Sequence, residues 1–372
     1  MKKFFMLLVL ALAVISAPFA TASAAQKTWD MYIPEDLDYD YWAYDELDDF
    51  INAGIIDGQV VTEYDNELDE EFSYVYIKPE DSITRAQFTK ILVNALGLKM
   101  DGTAKTFSDV KKTDWSFPYI QTASSLGIVN GKLDGTFAPN AKITRDQAAA
   151  MIYRAFQNNI QFKSNGIAFK DVTKDNFAYD AINKTSANGI VKGYGELFKP
   201  HTFATRAQAM VMIHRALQQE SVDKPADSAL MDVVSKLNND EITYLNALDK
   251  AKLTDLYNQT TTDYQFAMSQ DNVDMVDAYN TEDGSSLKIE IIKPFTLTVL
   301  SSSTHFAKVH VNDFQYKVTS TFPDGNFSLN VNGSNTAYLK KTEDGSWKVY
   351  NVVMDDEQEE TLADEAASIS QN

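Results

Sequence analysis

The 372-residue chain has no cysteine, only five arginines and only four histidines. Without cysteine, disulfides and thiolate-bound metals drop out of any account of its stability or chemistry. The histidines, His201, His214, His305 and His310, are scattered. His305 and His310 are five apart in a predicted strand, so they face opposite sides and cannot hold one ion together; His201 and His214 read as surface or packing residues. There is no Gly-x-Ser-x-Gly elbow, no phosphate-cradling glycine loop and no His-Glu-x-x-His. Asp36, Asp38 and Asp40 begin like a calcium loop, but Tyr41 replaces its glycine and Leu47 its final carboxylate, which excludes an EF-hand. The expectation is a non-enzymatic chain without catalytic residues, metal or cofactor.

Positive charge is scarce too: 33 basic side chains stand against 53 acidic ones, a formal charge of −20. That balance speaks against nucleic acid or an anionic membrane as partner. Past the N-terminus no apolar run is long enough to span a bilayer. At the N-terminus, Lys2-Lys3, the apolar run from Phe4 to about Ala17 and the small residues Ala22-Ser23-Ala24-Ala25 read as a signal peptide over 1–25, with an uncleaved anchor as the alternative.

What the chain does have is a repeat. Thr84-Arg85-Ala86-Gln87, Thr144-Arg145-Asp146-Gln147 and Thr205-Arg206-Ala207-Gln208 stand 60 and 61 residues apart and use three of the five arginines. Each Thr-x-x-Gln predicts a capping box, followed by a helical apolar stripe: Phe88, Ile91 and Leu92; Ala148, Met151 and Ile152; Ala209, Met212 and Ile213. An arginine at a helix start opposes the macrodipole by roughly 0.3–1 kcal/mol. Beside free N–H groups, however, its guanidinium would complete a site for an anion. Arg85, Arg145 and Arg206 are therefore the candidate ligands, with Arg145 and Arg206 ranked first. Arg154 and Arg215, nine residues further on, point elsewhere and read as surface or salt-bridge residues.

The rest of each unit recurs as well. Trp42, Trp115 and Phe177 each precede a Gly-Ile pair by twelve residues: Gly54-Ile55, Gly127-Ile128 and Gly189-Ile190. A further glycine follows (Gly58, Gly131, Gly193), then a proline, then the capping box. Asp36-Leu37, Asp109-Val110 and Asp171-Val172 share one register ahead of the aromatic. The aromatics read as core or cleft-wall residues, with Trp115 and Trp42 the candidate platforms for a sugar face.

This pattern resembles the S-layer homology (SLH) family. The second copy carries it from Phe107-Ser108-Asp109-Val110 through Gly127-Ile128-Val129-Asn130-Gly131 and Asp134-Gly135-Thr136-Phe137-Ala138-Pro139 to Thr144-Arg145. The third carries Phe169, Asp171-Val172, Gly189-Ile190-Val191-Lys192-Gly193, Phe198, Pro200 and Thr205-Arg206. The resemblance implies three repeats, at 34–97, 105–158 and 167–220, arranged as a mainly α pseudo-trimer with a central helical core. It further implies clefts that bind pyruvylated secondary cell wall polysaccharide, with the Thr-Arg arginine as a principal contact and Gly131 and Gly193 beside it. Where the family has Glu, this chain has Gln87, Gln147 and Gln208. The first copy also has an insertion at 59–78, with Glu63, Asp65, Glu67, Asp69, Glu70 and Glu71, that reads as a charged loop. Six carboxylates should repel an anionic polymer, and weak Ca²⁺ binding there stays open.

After a linker at 221–228 the pattern changes. Residues 229–355 begin with apolar residues spaced at three and four, predicting two or three helices, and pass beyond Gly284 to a period of two. Strands are expected from Leu287 to Leu300 interrupted at Pro294, from Thr304 to Phe322 with a bulge between Val311 and Phe314, from Phe327 to Lys341 with a break at Asn332-Gly333, and from Trp347 to Val353. That order and the closing Asp344-Gly345-Ser346-Trp347-Lys348-Val349 resemble the nuclear-transport-factor-2-like α+β cone with its curved antiparallel sheet. Residues 356–372 form an acidic tail expected to be solvated. The combined expectation is a secreted cell wall or S-layer protein anchored by its repeats and displaying an α+β module. A wall-anchored enzyme or small-ligand binder, or a lattice component, are the alternatives.

Overall fold

The computed structural model describes residues 27–65, 70–281, 284–323 and 325–355. The signal-peptide reading, the acidic tail, and Glu67 and Asp69 of the acidic cluster in the first repeat lie outside the described residues. Two compact units result. One comprises 33–224 with 303–305; the other comprises the described residues of 27–32, 225–302 and 306–355.

In the first unit each repeat contributes two helices: α1 (Tyr44–Asn52) and, after the hairpin β1 (Gln59–Asp65) and β2 (Glu70–Tyr76), α2 (Arg85–Ala95); α3 (Phe117–Ser125) and α4 (Arg145–Phe156); α5 (Tyr179–Ala187) and α6 (Arg206–Leu217). The first helix of each pair ends at Gly54, Gly127 or Gly189, all in the left-handed region at φ 64°, 71° and 70°. That turn lets the N–H of Ile55, Ile128 and Ile190 reach back to the carbonyls of Phe50, Ala123 and Thr185, the hydrogen bond a helix needs to stop cleanly. The second helices open on Thr84, Thr144 and Thr205 with the expected Gln side chain returned to the cap N–H. Their apolar stripes are buried.

Pairing is exchanged between repeats. α2, α4 and α6 touch one another at the centre, and each packs an outer helix from a different repeat: α3 on α2, α5 on α4, α1 on α6. The last of these closes the ring, with Asp49 Oδ2 2.7 Å from His214 Nε2 and Glu46 Oε1 3.8 Å from Arg215 Nη2. The insertion in the first repeat is not a loop. It pairs antiparallel from Gln59↔Tyr76 to Asp65↔Glu70, because Val60-Val61-Thr62 on one strand and Phe72, Tyr74, Val75 and Tyr76 on the other are β-branched and aromatic residues that favour strands. The calcium expectation depends on the tip of this hairpin, where Glu67 and Asp69 lie outside the described residues.

The second unit places α7 (Asp227–Asn246), α8 (Lys250–Thr260) and α9 (Asp263–Thr281) before seven strands, β3 (Ser286–Lys293), β4 (Thr296–Ser302), β5 (Phe306–Asn312), β6 (Gln315–Phe322), β7 (Gly325–Asn332), β8 (Asn335–Lys341) and β9 (Trp347–Met354). The single curved sheet expected is instead two open antiparallel sheets, β3-β6-β7 and β4-β5-β8-β9. The chain passes between them at Pro294-Phe295, at Asp313, whose φ is 62°, and at Gly333-Ser334. These are the three interruptions the sequence marks, and together they fold one meander into two faces around a common core of Leu287, Val309, Phe314, Val331, Leu339 and Val349. At Gly333 a Cβ would come within 2.8 Å of Phe314 and Tyr316, so the corner needs glycine.

Gly127 has open space where a Cβ would stand, so Gly127→Ala meets only backbone strain. We expect a loss of about 1–2 kcal/mol in denaturant unfolding, with native circular dichroism.

Candidate functional site

The helix starts are where the repeats join. The first two N–H groups of each central helix are not free, contrary to the expectation from capping alone. Those of Arg85 and Ala86 donate to the carbonyls of Ala141 and Pro139, those of Arg145 and Asp146 to Thr202 and Pro200, and those of Arg206 and Ala207 to Asp81 and Pro79. Each repeat thus caps the helix of another. The carbonyl oxygens bring negative partial charge to the positive end of the helix, which removes the penalty an arginine there would otherwise meet.

The arginines join the same exchange. Nε of Arg85 donates to Phe137 O at 2.9 Å, that of Arg145 to Phe198 O at 2.9 Å, and that of Arg206 to Ile77 O at 2.6 Å. Each accepting peptide is gripped from its other side by the recurrent aspartate. Asp109 accepts the N–H groups of Phe137 and Ala138, Asp171 those of Phe198 and Lys199, and Asp36 those of Ile77 and Lys78, all at 2.7–2.8 Å. Ala138, Lys199 and Lys78 are left-handed non-glycine residues, at φ 58°, 58° and 51°, each followed by a proline. Such a backbone costs on the order of 1 kcal/mol and persists because the carboxylate holds it. The recurrence of the aspartates is visible in the sequence; their role as clamps is not.

The three arginines differ in what they have left over. Arg145 is 4% exposed and spends Nη2 on Lys192 O at 2.7 Å, with its guanidinium over Phe198 and Tyr194. Arg85 is 8% exposed, gives Nη1 to Gln147 Oε1 at 3.0 Å and stacks on Phe137. Arg206 is only partly buried. Among the described residues its two terminal nitrogens meet no protein acceptor within hydrogen-bonding distance. Burial pulls all three guanidinium pKa values down. Asp109 opposes the shift at Arg85, Tyr194 and Asp171 at Arg145, and Asp81 and Asp36 at Arg206.

Arg206 opens onto a cleft of about 350 Å³ lined by Ile55, Ile56, Asp57, Gln87, Lys90, Ile91 and Trp115. Residues of all three repeats meet here, and Lys90 Nζ lies 3.7 Å from Asp57. Trp115 is 56% exposed, as is Trp42, and Phe177 is 63% exposed. These aromatics are therefore not core residues, which corrects the first of the two readings their spacing allows. Gly131 and Gly193 serve packing: a Cβ would fall 2.4 Å from Phe107 and 2.3 Å from Phe169. Gly58 is the counterpart in the first repeat, with Val75 of the hairpin at 2.2 Å. Lys90 is a cleft residue that the motifs do not single out. In repeat register it stands where Ala150 and Val211 do, and a charge breaking an apolar repeat is the signal the sequence offers for it.

Residues 106–149 and 168–210 match the family model of the S-layer homology domain. The chain is 32% identical over 150 residues to the cellulosome-anchoring protein of Acetivibrio thermocellus, covering 38% of this chain and 33% of that one. It is 25% identical over 249 residues to S-layer protein sap of Bacillus anthracis, covering 66% and 28%. To an endoglucanase of Bacillus sp. (strain KSM-635) it is 28% identical over 244 residues, covering 62% and 24%. The chain thus spans a third or less of each of these relatives. They group it with secreted proteins associated with the cell wall or S-layer.

Two stability outcomes are expected. Arg145→Ala removes the donors of two carbonyls in a buried setting and should cost on the order of 2–4 kcal/mol by chemical denaturation. At Asp171 burial raises the carboxyl, but the N–H groups of Phe198 and Lys199, its own N–H and the Arg145 charge together hold it below its ordinary value. Its contribution is then present above the unfolded carboxylate pKa and lost as pH falls through the lower folded one. The stability gap between wild type and Asp171→Asn should be constant above about pH 5 and shrink below about pH 4.

Proposed function

Since residues 106–149 and 168–210 are S-layer homology domains, we propose that 34–220 anchor the chain to a pyruvylated cell wall polysaccharide through the Arg206 cleft, with 225–355 as the module held at the surface. One observation carries the reading: a guanidinium edge, an ammonium and an exposed indole, from three repeats, line a single cleft. The terminal nitrogens of Arg206 form a fork that suits a carboxylate in bidentate geometry, and its Nε bond to Ile77 O fixes the plane of that fork in advance. Lys90 supplies a second positive charge, at present shared with Asp57. Trp115 offers a flat apolar face beside them, as a sugar ring requires.

This reading also assigns the arginines unequally. Arg206 faces the ligand. Arg145 and Arg85 hold the repeats together, with Trp42 and Phe177 in register with Trp115 at the corresponding positions. Against a formal charge of −20, an anionic polymer is held by local charge alone, so binding should weaken as salt screens it.

Lys90 and Trp115 take no part in the ring of hydrogen bonds, which makes them the clean test. Lys90→Ala and Trp115→Ala should each lower the affinity for purified walls about tenfold, close to 1.4 kcal/mol, with unfolding free energy unchanged to within about 0.5 kcal/mol. Walls stripped of pyruvate should retain the wild-type chain no better than they retain the double variant. Full co-sedimentation of the double variant with untreated walls would defeat the proposal.

A further inference from the structure

In the second unit, three helices each send one polar side chain to the same point. Tyr257 of α8, fully buried, donates its hydroxyl to Oε1 of Glu241 on α7 at 2.6 Å. Nδ2 of Asn272 on α9 donates to that same oxygen at 3.2 Å and to the Tyr257 hydroxyl oxygen at 2.9 Å. Both donors therefore converge on one carboxylate oxygen. Oε2 of Glu241 and Oδ1 of Asn272 have no protein donor among the described residues. The sealed, unpartnered side-chain atoms of the described residues are Gln265 Oε1, Asp271 Oδ2 and Ser285 Oγ. Neither Oε2 nor Oδ1 is among them, so both keep a face on accessible space.

The charge at this point is unbalanced. Burial pushes the Glu241 carboxyl up, and the bonds from Tyr257 and Asn272 only partly oppose it, with no cation acting on the group. The chain after residue 220 has no arginine at all, and lysines of α7, α8 and β8 are paired elsewhere: Lys236 with Asp240, Lys250 with Asp277, Lys340 with Asp263. Tyr316 on β6 is close enough for the Glu241 charge to add to the effect of burial on its phenol. A partly buried carboxylate with no cation beside it is costly unless something brings it a counter-charge and donors. An anionic ligand would be repelled, and a neutral one would leave the charge unmatched.

We propose that Glu241, Tyr257 and Asn272 form the head of a binding site for a small organic cation, a primary ammonium. In that site Oε2 and Oδ1 accept its N–H groups. The two bonds into Oε1 fix the carboxyl plane before the ligand arrives. The site belongs to the second unit and is independent of the wall-binding cleft.

The test uses the full chain and two probes of one shape, benzylammonium and neutral benzyl alcohol. Benzylammonium should shift the Asn272 side-chain amide resonances saturably and raise the melting temperature, while benzyl alcohol at equal concentration should do neither. Glu241→Gln keeps the shape and removes the charge, and should weaken benzylammonium at least tenfold, close to 1.4 kcal/mol. Equal responses to both probes, no saturable shift with benzylammonium or the smaller methylammonium, or full affinity in Glu241→Gln would each overturn the proposal. The wild-type comparison decides the matter even if the variant does not fold.

Discussion

The first unit depends on an exchange of backbone hydrogen bonds at three helix starts. A helix cannot satisfy its own first N–H groups, and each of these helices finds its acceptors in the loop before another repeat's helix, at Pro139 and Ala141, Pro200 and Thr202, Pro79 and Asp81. The exchange is cyclic. No repeat is complete alone, and the ring closes only when Arg206 reaches Ile77, 129 residues back along the chain.

The recurrent residues follow from that constraint. Aspartate holds the loop in a left-handed turn, proline ends it, and the arginine bolts the turn to the next helix through Nε. Once Nε is committed, the plane of the guanidinium is set, and what remains of the fork is available only where the repeats differ. Arg145 and Arg85 spend a further nitrogen on Lys192 O and Gln147. At Arg206 the fork is left facing a cleft. One residue type therefore serves cohesion at every position and recognition where its surroundings leave room.

The second unit solves a different problem with the same economy of cations. Its meander bends at Pro294, Asp313 and Gly333 to enclose an apolar core, and several of its acids are paired with lysines. Glu241 is held instead by a phenol and an amide rather than by a charge. The two units thus present opposite chemistry, a cationic cleft in one and an acidic polar cluster in the other.

Local order is legible in the residues themselves. Thr-x-x-Gln marks the central helices, Gly-Ile the ends of the outer ones, and Pro294 and Asn332-Gly333 the corners of the meander, because capping and turn formation use neighbours in the chain. The hairpin at 59–76 is the exception, since its many acids suggest a solvated loop and mask the β-branched and aromatic residues of its strands. Partnership across the chain is not legible. Tertiary structure alone decided that the arginine N–H groups meet carbonyls of another repeat, that Trp115 stands exposed beside Arg206, that Gly131 and Gly193 make room for phenylalanine rings, and that Glu241 is left without a cation. Sequence by itself determined where helices and turns begin, since those bonds span three to five residues. Which side chains then share a cleft depends on contacts separated by 50 to 130 residues, whose pairing a linear pattern does not encode.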